Sequence, residues 1–176
     1  MLTNLDLAAF DFISDHLSSP FMDAVMSKIT LLGNGGFIWL VFAAILLFSR
    51  QTRRNGLICC LALLLACLFG DLLLKNLFLR ERPFMQMPWL ELLISPPSGY
   101  SFPSGHAGSA FAAATALSLN GKWVAFTSFI LAFIIAFSRV YLSAHFLTDV
   151  LGGIFLGIAC GTLAILLLGA RPRRLA

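Results

Sequence analysis

From Phe146 to Leu168 the chain carries one charged side chain, Asp149, and from Leu57 to Leu79 only two, Asp71 and Lys75. Each run has the length a helix needs to cross a bilayer, about 20 residues. Within hydrocarbon only structures that satisfy their own backbone polar groups persist, which limits the choice to helices or a closed barrel. The composition agrees with this. Of 176 residues, 59% are hydrophobic and 11% charged, whereas a soluble domain carries about 25% charged residues. The expected fold is therefore all-α: a polytopic membrane helical bundle of about five to six spans forming one domain over residues 1–176. No length remains for a separate soluble domain, so any activity must belong to the bundle and its loops.

The net charge of +4 does not point to nucleic acid, because Lys and Arg are scattered between apolar runs and build no basic face. Cys59, Cys60, Cys67 and Cys160 sit inside apolar segments without metal-ligand spacing and read as packing residues. The first Lys or Arg is Lys28, so no basic region precedes an apolar core and no cleaved signal peptide is expected.

Residues Leu5 to Leu17 mix Asp6, Asp11 and Asp15 with apolar side chains at helical spacing, which predicts an amphipathic helix lying on the membrane interface. After Ser18-Ser19-Pro20 a second segment runs from Phe21 to Leu32. Gly33-Asn34-Gly35-Gly36 then interrupts the pattern, closing an N-terminal interfacial segment over residues 1–35 ahead of a bundle over 36–170. Five spans follow: Phe37 to Ser49, Leu57 to about Leu79, Ser104 to Leu119, Trp123 to about Val140, and Phe146 to Leu168. The second is expected to end at Arg82, ahead of Pro83. The proline-rich stretch from Pro83 to Pro103, with Trp89 and Tyr100, reads as a loop at the lipid–water boundary. Arg50, Arg53, Arg54, Lys122, Arg171, Arg173 and Arg174 fall on one side of this arrangement, which the positive-inside rule makes cytoplasmic.

The opposite ends of the spans hold the candidate chemistry. An ionisable group at the bilayer centre costs about 2.5 to 3.5 kcal/mol on insertion scales, so clusters of them usually have functional reasons. Lys75 and Arg82 are seven apart, which on a continuous helix places both on one face, with Asp71 a turn below as an ion-pair partner for Lys75. Pro103-Ser104-Gly105-His106 stands at the mouth of the third span. There Ser104 can cap the helix, Gly105 allows close approach, and the first free N–H groups suit an anion. His145 and Asp149 are four apart, so the carboxylate can fix one ring nitrogen and leave the other free. Arg139 can face the same point only if the chain turns near Leu142 to Ala144. Three cations, a helix N-terminus, a His backed by Asp and a second His together describe a phosphate receptor with a nucleophile and an acid. His106, His145 and Asp149 could also be read as a two-histidine, one-carboxylate metal set, but three neighbouring cations make a poor metal site.

The three stretches read Lys75, six residues, Arg82-Pro83; Pro103-Ser104-Gly105-His106; and Ser138-Arg139, five residues, His145, three residues, Asp149. This pattern closely resembles the type 2 phosphatidic acid phosphatase (PAP2) superfamily, integral-membrane lipid phosphatases whose fold is shared with vanadium haloperoxidases. The resemblance implies that His145 attacks phosphorus to form a phosphohistidine, Asp149 orients it, and His106 protonates the leaving oxygen and later activates water. It implies that Lys75, Arg82, Ser104, Gly105 and Arg139 hold the phosphoryl oxygens, and that no metal or other cofactor takes part. The substrate implied is a membrane lipid phosphate: undecaprenyl diphosphate, favoured by an outward-facing site, phosphatidylglycerol phosphate or phosphatidic acid. Two other readings remain at this point, a lipid-linked phosphotransferase using the same phosphohistidine, and a channel or transporter whose buried charges line an ion path.

Overall fold

The computed structural model describes residues 3–169 apart from Pro88 and Glu91; the tail cations Arg171, Arg173 and Arg174 lie outside the described residues. Among the described residues every regular element is helical. Helix α1, Asn4–His16, starts at a reciprocal cap in which Thr3 Oγ1 accepts from Asp6 N and the Asp6 carboxylate accepts from Thr3 N. Helix α2, Pro20–Leu32, starts at Ser19, whose Oγ accepts from Met22 N, with Pro20 in the first turn where its missing N–H costs nothing. Gly35 and Gly36 take φ of 58° and 70°, values that glycine adopts without strain. There the chain bends by 46° into α3, Phe37–Phe48. The short third run of the sequence is thus the second half of a bent α2–α3 pair.

Helix α4, Arg53–Ala66, continues as a π-helix over Cys67–Leu74 and then as the single turn α5, Lys75–Phe78. Leu79 turns left-handed, with φ of 49°. The helix therefore stops before Arg82, not at it, and Lys75 and Arg82 do not share the face of one continuous helix. A short turn, α6 (Pro83–Gln86), opens the loop that follows. Helix α7, Gly105–Leu117, extends through a 3-10 turn at Ser118–Asn120. Helices α8, Lys122–Tyr141, and α9, Leu147–Leu168, complete the chain. By length and composition Arg53–Gln86, Lys122–Tyr141 and Leu147–Leu168 can each cross a membrane, and the bent α2–α3 pair makes a fourth crossing if counted as one broken span. The protein is a multi-pass membrane protein. The remaining expected span corresponds to α7, which at 13 residues is only about 20 Å long and is the buried centre of the bundle, packed on α4, α8 and α9.

Glycine and alanine draw α7 and α9 together. A Cβ at Gly153 would stand 2.5 Å from Ser104 O, one at Gly157 2.5 Å from Gly108 O, and one at Gly161 2.6 Å from Thr115 Cβ. Small residues four apart let membrane helices approach until backbone meets backbone, which supplies packing that lipid cannot. Large apolar side chains such as Phe126, Phe133, Phe155 and Leu166 point away from the bundle. Cys59 and Cys160 are buried and none of the four cysteines is bonded to another. At one end of the bundle Arg54 Nε donates to Leu168 O at 2.9 Å and Asn55 Nδ2 to Asn120 Oδ1 at 3.0 Å. The candidate site lies at the other end, where α7 and α9 begin and α8 finishes.

Replacing Gly157 with Ala inserts a methyl against the Gly108 carbonyl, and overpacking of this kind costs about 1–3 kcal/mol. Thermal denaturation in detergent should show a lowered Tm for Gly157→Ala and little change for Leu166→Ala, whose side chain is 73% exposed.

Candidate active site

A cavity of about 400 Å³ opens at that end, and Lys75, Arg82, Gly105, His106, Arg139 and His145 all line it. Five elements from three remote stretches of the chain deliver them. Lys75 comes from the last turn before Leu79, Arg82 from the extended link, and Gly105 and His106 from the first turn of α7. Arg139 comes from the end of α8 and His145 from the turn between α8 and α9. That turn is the one the spacing of Arg139 and His145 requires: α8 ends at Tyr141, Ser143 adopts φ of 55°, and His145 N donates back to Arg139 O at 3.1 Å. Of the eight residues named from sequence, Ser104 and Asp149 do not line the cavity; both are buried directly behind it.

His145 is held from two sides. Its Nε2 lies 3.2 Å from Arg82 Nη1. A guanidinium only donates, so Nε2 is the acceptor and the ring proton belongs on Nδ1. Nδ1 faces Ser101 Oγ at 3.4 Å and Asp149 Oδ2 at 3.7 Å. The direct His145–Asp149 hydrogen bond expected from a spacing of four is absent, because His145 precedes the first turn of α9 instead of lying on it. Ser101 fills the gap, donating to Asp149 Oδ2 at 2.5 Å. The same oxygen accepts from Phe146 N at 2.9 Å, and Asp149 Oδ1 pairs with Arg80 Nη1 at 2.5 Å.

The remaining cavity groups have equally specific partners. Arg82 is gripped by the carbonyls of Ser98, Gly99 and Ala144, each at 2.9 Å. Arg139 Nη1 donates to Thr30 Oγ1 at 2.5 Å, while its buried Nε has no partner. Lys75 Nζ pairs with Asp71 Oδ1 at 2.6 Å, so the ion pair anticipated from sequence sits in the cavity wall. His106 Nε2 meets Asn34 Oδ1 at 3.0 Å, which makes Nε2 the protonated nitrogen facing an acceptor. A Cβ at Gly33 would stand 2.6 Å from His106 Cδ2, so the missing side chain at Gly33 is what lets His106 fit. Ser104 does not cap α7 as expected: its side chain makes no capping bond and its buried Oγ has no partner. A buried hydroxyl without a partner costs about 1–3 kcal/mol. Among the described residues no group of His, Cys, Asp and Glu is placed to hold a metal ion; Asp149 lies behind His145, so the metal set considered from sequence does not converge.

Sequence reasoning missed Ser101, Asn34, Thr30, Arg80 and the burial of Asp6. Ser101 could have been suspected as a hydroxyl two residues before Pro103, and Asn34 as a polar group in the break between apolar segments. The pairing of Asp6 and Arg80 leaves no local signature, since the two are far apart in the chain. Burial pushes Asp6 up, but hydrogen bonds from Thr148 N, Thr148 Oγ1, Thr3 and Arg80 outweigh it and hold the carboxyl below its usual range.

With this geometry in place, comparison with known proteins identifies the architecture. The model of the PAP2 superfamily matches residues 55–173. The chain belongs to the PAP2 superfamily. It is 33% identical to the undecaprenyl-diphosphatase of Sulfolobus acidocaldarius over 122 residues, which are 69% of this chain and 59% of that protein. It is 32% identical to phosphatidylglycerophosphatase B of Bacillus subtilis over 156 residues, 81% of this chain and 73% of that one. The chain thus spans a little under three fifths to about three quarters of the length of these PAP2 relatives. Among solved structures, Aquifex aeolicus LpxE superposes with a TM-score of 0.82 at 30% identity, covering 93% of this chain and 96% of that chain. The transmembrane PAP2 type phosphatidylglycerolphosphate phosphatase of Bacillus subtilis gives a TM-score of 0.75 at 30% identity, covering 98% and 90%.

Burial pushes the His145 imidazole down to about 3, with Arg82 and Arg139 adding to the effect and Asp149 opposing it. The folded value is below the unfolded value of 6.5, so the unfolded chain takes the proton first and stability is lost as pH falls from about 6.5 towards about 3. At pH 5 this amounts to about 2 kcal/mol. Melting curves between pH 7 and pH 5 should therefore show a steeper fall in Tm for the natural chain than for His145→Gln, which has no proton to take up.

Proposed function

We propose that this PAP2 protein hydrolyses a phosphate or diphosphate group from a membrane lipid through a phosphohistidine at His145. The observation that carries the reading is that Lys75, Arg82, His106, Arg139 and His145 line one cavity whose other wall is Leu40, Leu63, Ala66 and Cys67. A phosphate finds cations there and a lipid tail finds hydrocarbon. His145 Nε2 attacks phosphorus as the bond to the leaving oxygen breaks, and His106, protonated on both ring nitrogens once the anionic phosphate is bound, gives its Nε2 proton to that oxygen and is left neutral. Lys75, Arg82 and Arg139, with Ser104 Oγ and the backbone at Gly105, stabilise the equatorial oxygens. In the second half His106 takes a proton from water, the P–N bond breaks, and inorganic phosphate leaves. Asp149, through Ser101, keeps the proton on Nδ1 throughout. The cycle uses no metal or other cofactor.

The names of the relatives support a lipid substrate, and that of the Sulfolobus protein supports undecaprenyl diphosphate as the first to test. Arg50, Arg53, Arg54 and Lys122 gather at the end of the bundle away from the cavity. By the positive-inside rule this supports a cavity on the extracytoplasmic face of the cell membrane.

Purified protein in detergent with excess chelator should release phosphate from at least one of undecaprenyl diphosphate, phosphatidylglycerol phosphate and phosphatidic acid. The His145→Ala variant should lose at least about a thousandfold of that rate. Activity abolished by chelator, or retained by His145→Ala, overturns the mechanism; release only when an acceptor lipid or sugar is added identifies a phosphotransferase instead. A reporter fused after Arg174 should report from the cytoplasm.

A further inference from the structure

Helix α1 carries no part of the phosphatase pattern, yet one of its side chains is among the most deeply buried in the molecule. Asp6 has no exposure to solvent, whereas Asp11 and Asp15 on the same helix are exposed. Asp6 Oδ2 pairs with Arg80 Nη2 at 2.8 Å, and Arg80 Nη1 pairs with Asp149 Oδ1 at 2.5 Å. The three side chains form an alternating column that ends at the carboxylate behind His145. Thr148 ties the column to the start of α9: its N and Oγ1 each donate to Asp6 Oδ1 at 2.9 Å, and its Oγ1 accepts from Arg80 Nη1 at 2.7 Å. The Arg80 guanidinium also lies over the Phe146 ring, 4.2 Å from its centroid. Its plane is thereby fixed in a position where each amino group meets one carboxylate.

Resting on the phosphohistidine reading, we infer that Asp6 and Arg80 are positioning residues for His145, acting through Asp149. When Nε2 bonds to phosphorus while Nδ1 keeps its proton, the imidazole ring becomes a cation. A negative charge behind the ring stabilises that change. Arg80 by itself would cancel it, since a cation paired at 2.5 Å in a low-dielectric interior offsets most of the field of Asp149. Asp6 on the second amino group of Arg80 restores it: two carboxylates and one guanidinium leave one net negative charge facing His145. Geometry works in the same direction. Arg80 holds Oδ1, so Oδ2 remains turned towards Ser101 and Nδ1. The N-terminal helix therefore completes the active site electrostatically without touching the substrate.

The test uses the full chain in detergent micelles with undecaprenyl diphosphate, phosphatidylglycerol phosphate or phosphatidic acid, whichever gives the fastest release, and counts active sites from the pre-steady-state burst of dephosphorylated lipid, the first product of a phosphohistidine cycle. Asp6→Asn is isosteric but uncharged and should lower kcat per active site about tenfold with KM within about twofold, as expected for loss of an orienting partner. Asp6→Glu should recover part of the loss, and Asp15→Asn should match the natural chain. If Asp6→Asn does not fold, Arg80→Lys reads the same quantity, because an ammonium cannot bridge two carboxylates as a planar fork does. A clamp that is merely structural predicts a lower Tm and fewer active sites with kcat per site unchanged, and that result overturns the inference. An active natural chain with an unaffected Asp6→Asn sinks this proposal but leaves the phosphatase reading intact; a natural chain inactive on all three lipids sinks both.

Discussion

Asp149 has no solvent exposure, and an ionised carboxylate in that position is tolerable only when its oxygens are fully engaged. Its four partners come from three parts of the chain: Arg80 from the link after α5, Ser101 from the proline-rich loop, and the Phe146 amide and His145 from the turn before α9. Each of those segments is irregular and would otherwise have little to hold it. By drawing them to one buried charge, Asp149 sets where the loop ends, where α9 begins and which way His145 faces. The three cations of the cavity are arranged around the imidazole that results.

The small residues of α7 and α9 serve the same end by a different force. Contact between the two helices is close enough that Ser104 O lies 2.5 Å from where a Cβ of Gly153 would be, so the first turn of α7 is seated against the turn that carries Asp149. The backbone supports this directly, with Ser104 N donating to Asp149 O at 3.0 Å. A bulkier pair of helices would part the Gly105–His106 corner from His145 and open the cavity. Helix α7 can be short and buried on all sides because α4, α8 and α9 surround it, leaving them to face the lipid.

The sequence made the bundle legible because long apolar runs have few alternative folds, and the breaks at Gly33–Gly36, Arg50–Asn55 and Asn120–Lys122 are marked by glycine and charge. The cavity-lining residues were legible because buried charges in such runs are conspicuous. Finer placement was not. The seven-residue spacing of Lys75 and Arg82 suggested one helix face, but Leu79 turns left-handed and Arg82 reaches the cavity from an extended link. The spacing of His145 and Asp149 suggested a direct bond, but only Asp149 is helical, and the hydroxyl between them comes from Ser101, 48 residues away from Asp149. Asp6 looked like one of three interfacial carboxylates; its partner Arg80 is 74 residues away, and no periodicity records such a pairing.

The bend between α2 and α3 has a bearing on solvent. Gly33, Gly35 and Gly36 form part of the cavity wall, where the chain passes through a 3-10 turn at Asn34–Gly36 that Gly35 interrupts with a non-helical φ. At membrane depth, uncoiled backbone persists only where protein covers it or where it borders a water-filled space. Gly33 and Gly36 are buried, and their N–H groups donate to Thr30 O and Gly33 O, each at 3.0 Å, so at this bend it is protein that satisfies them. A membrane segment thus changes direction in the cavity wall without surrendering those two N–H groups to solvent.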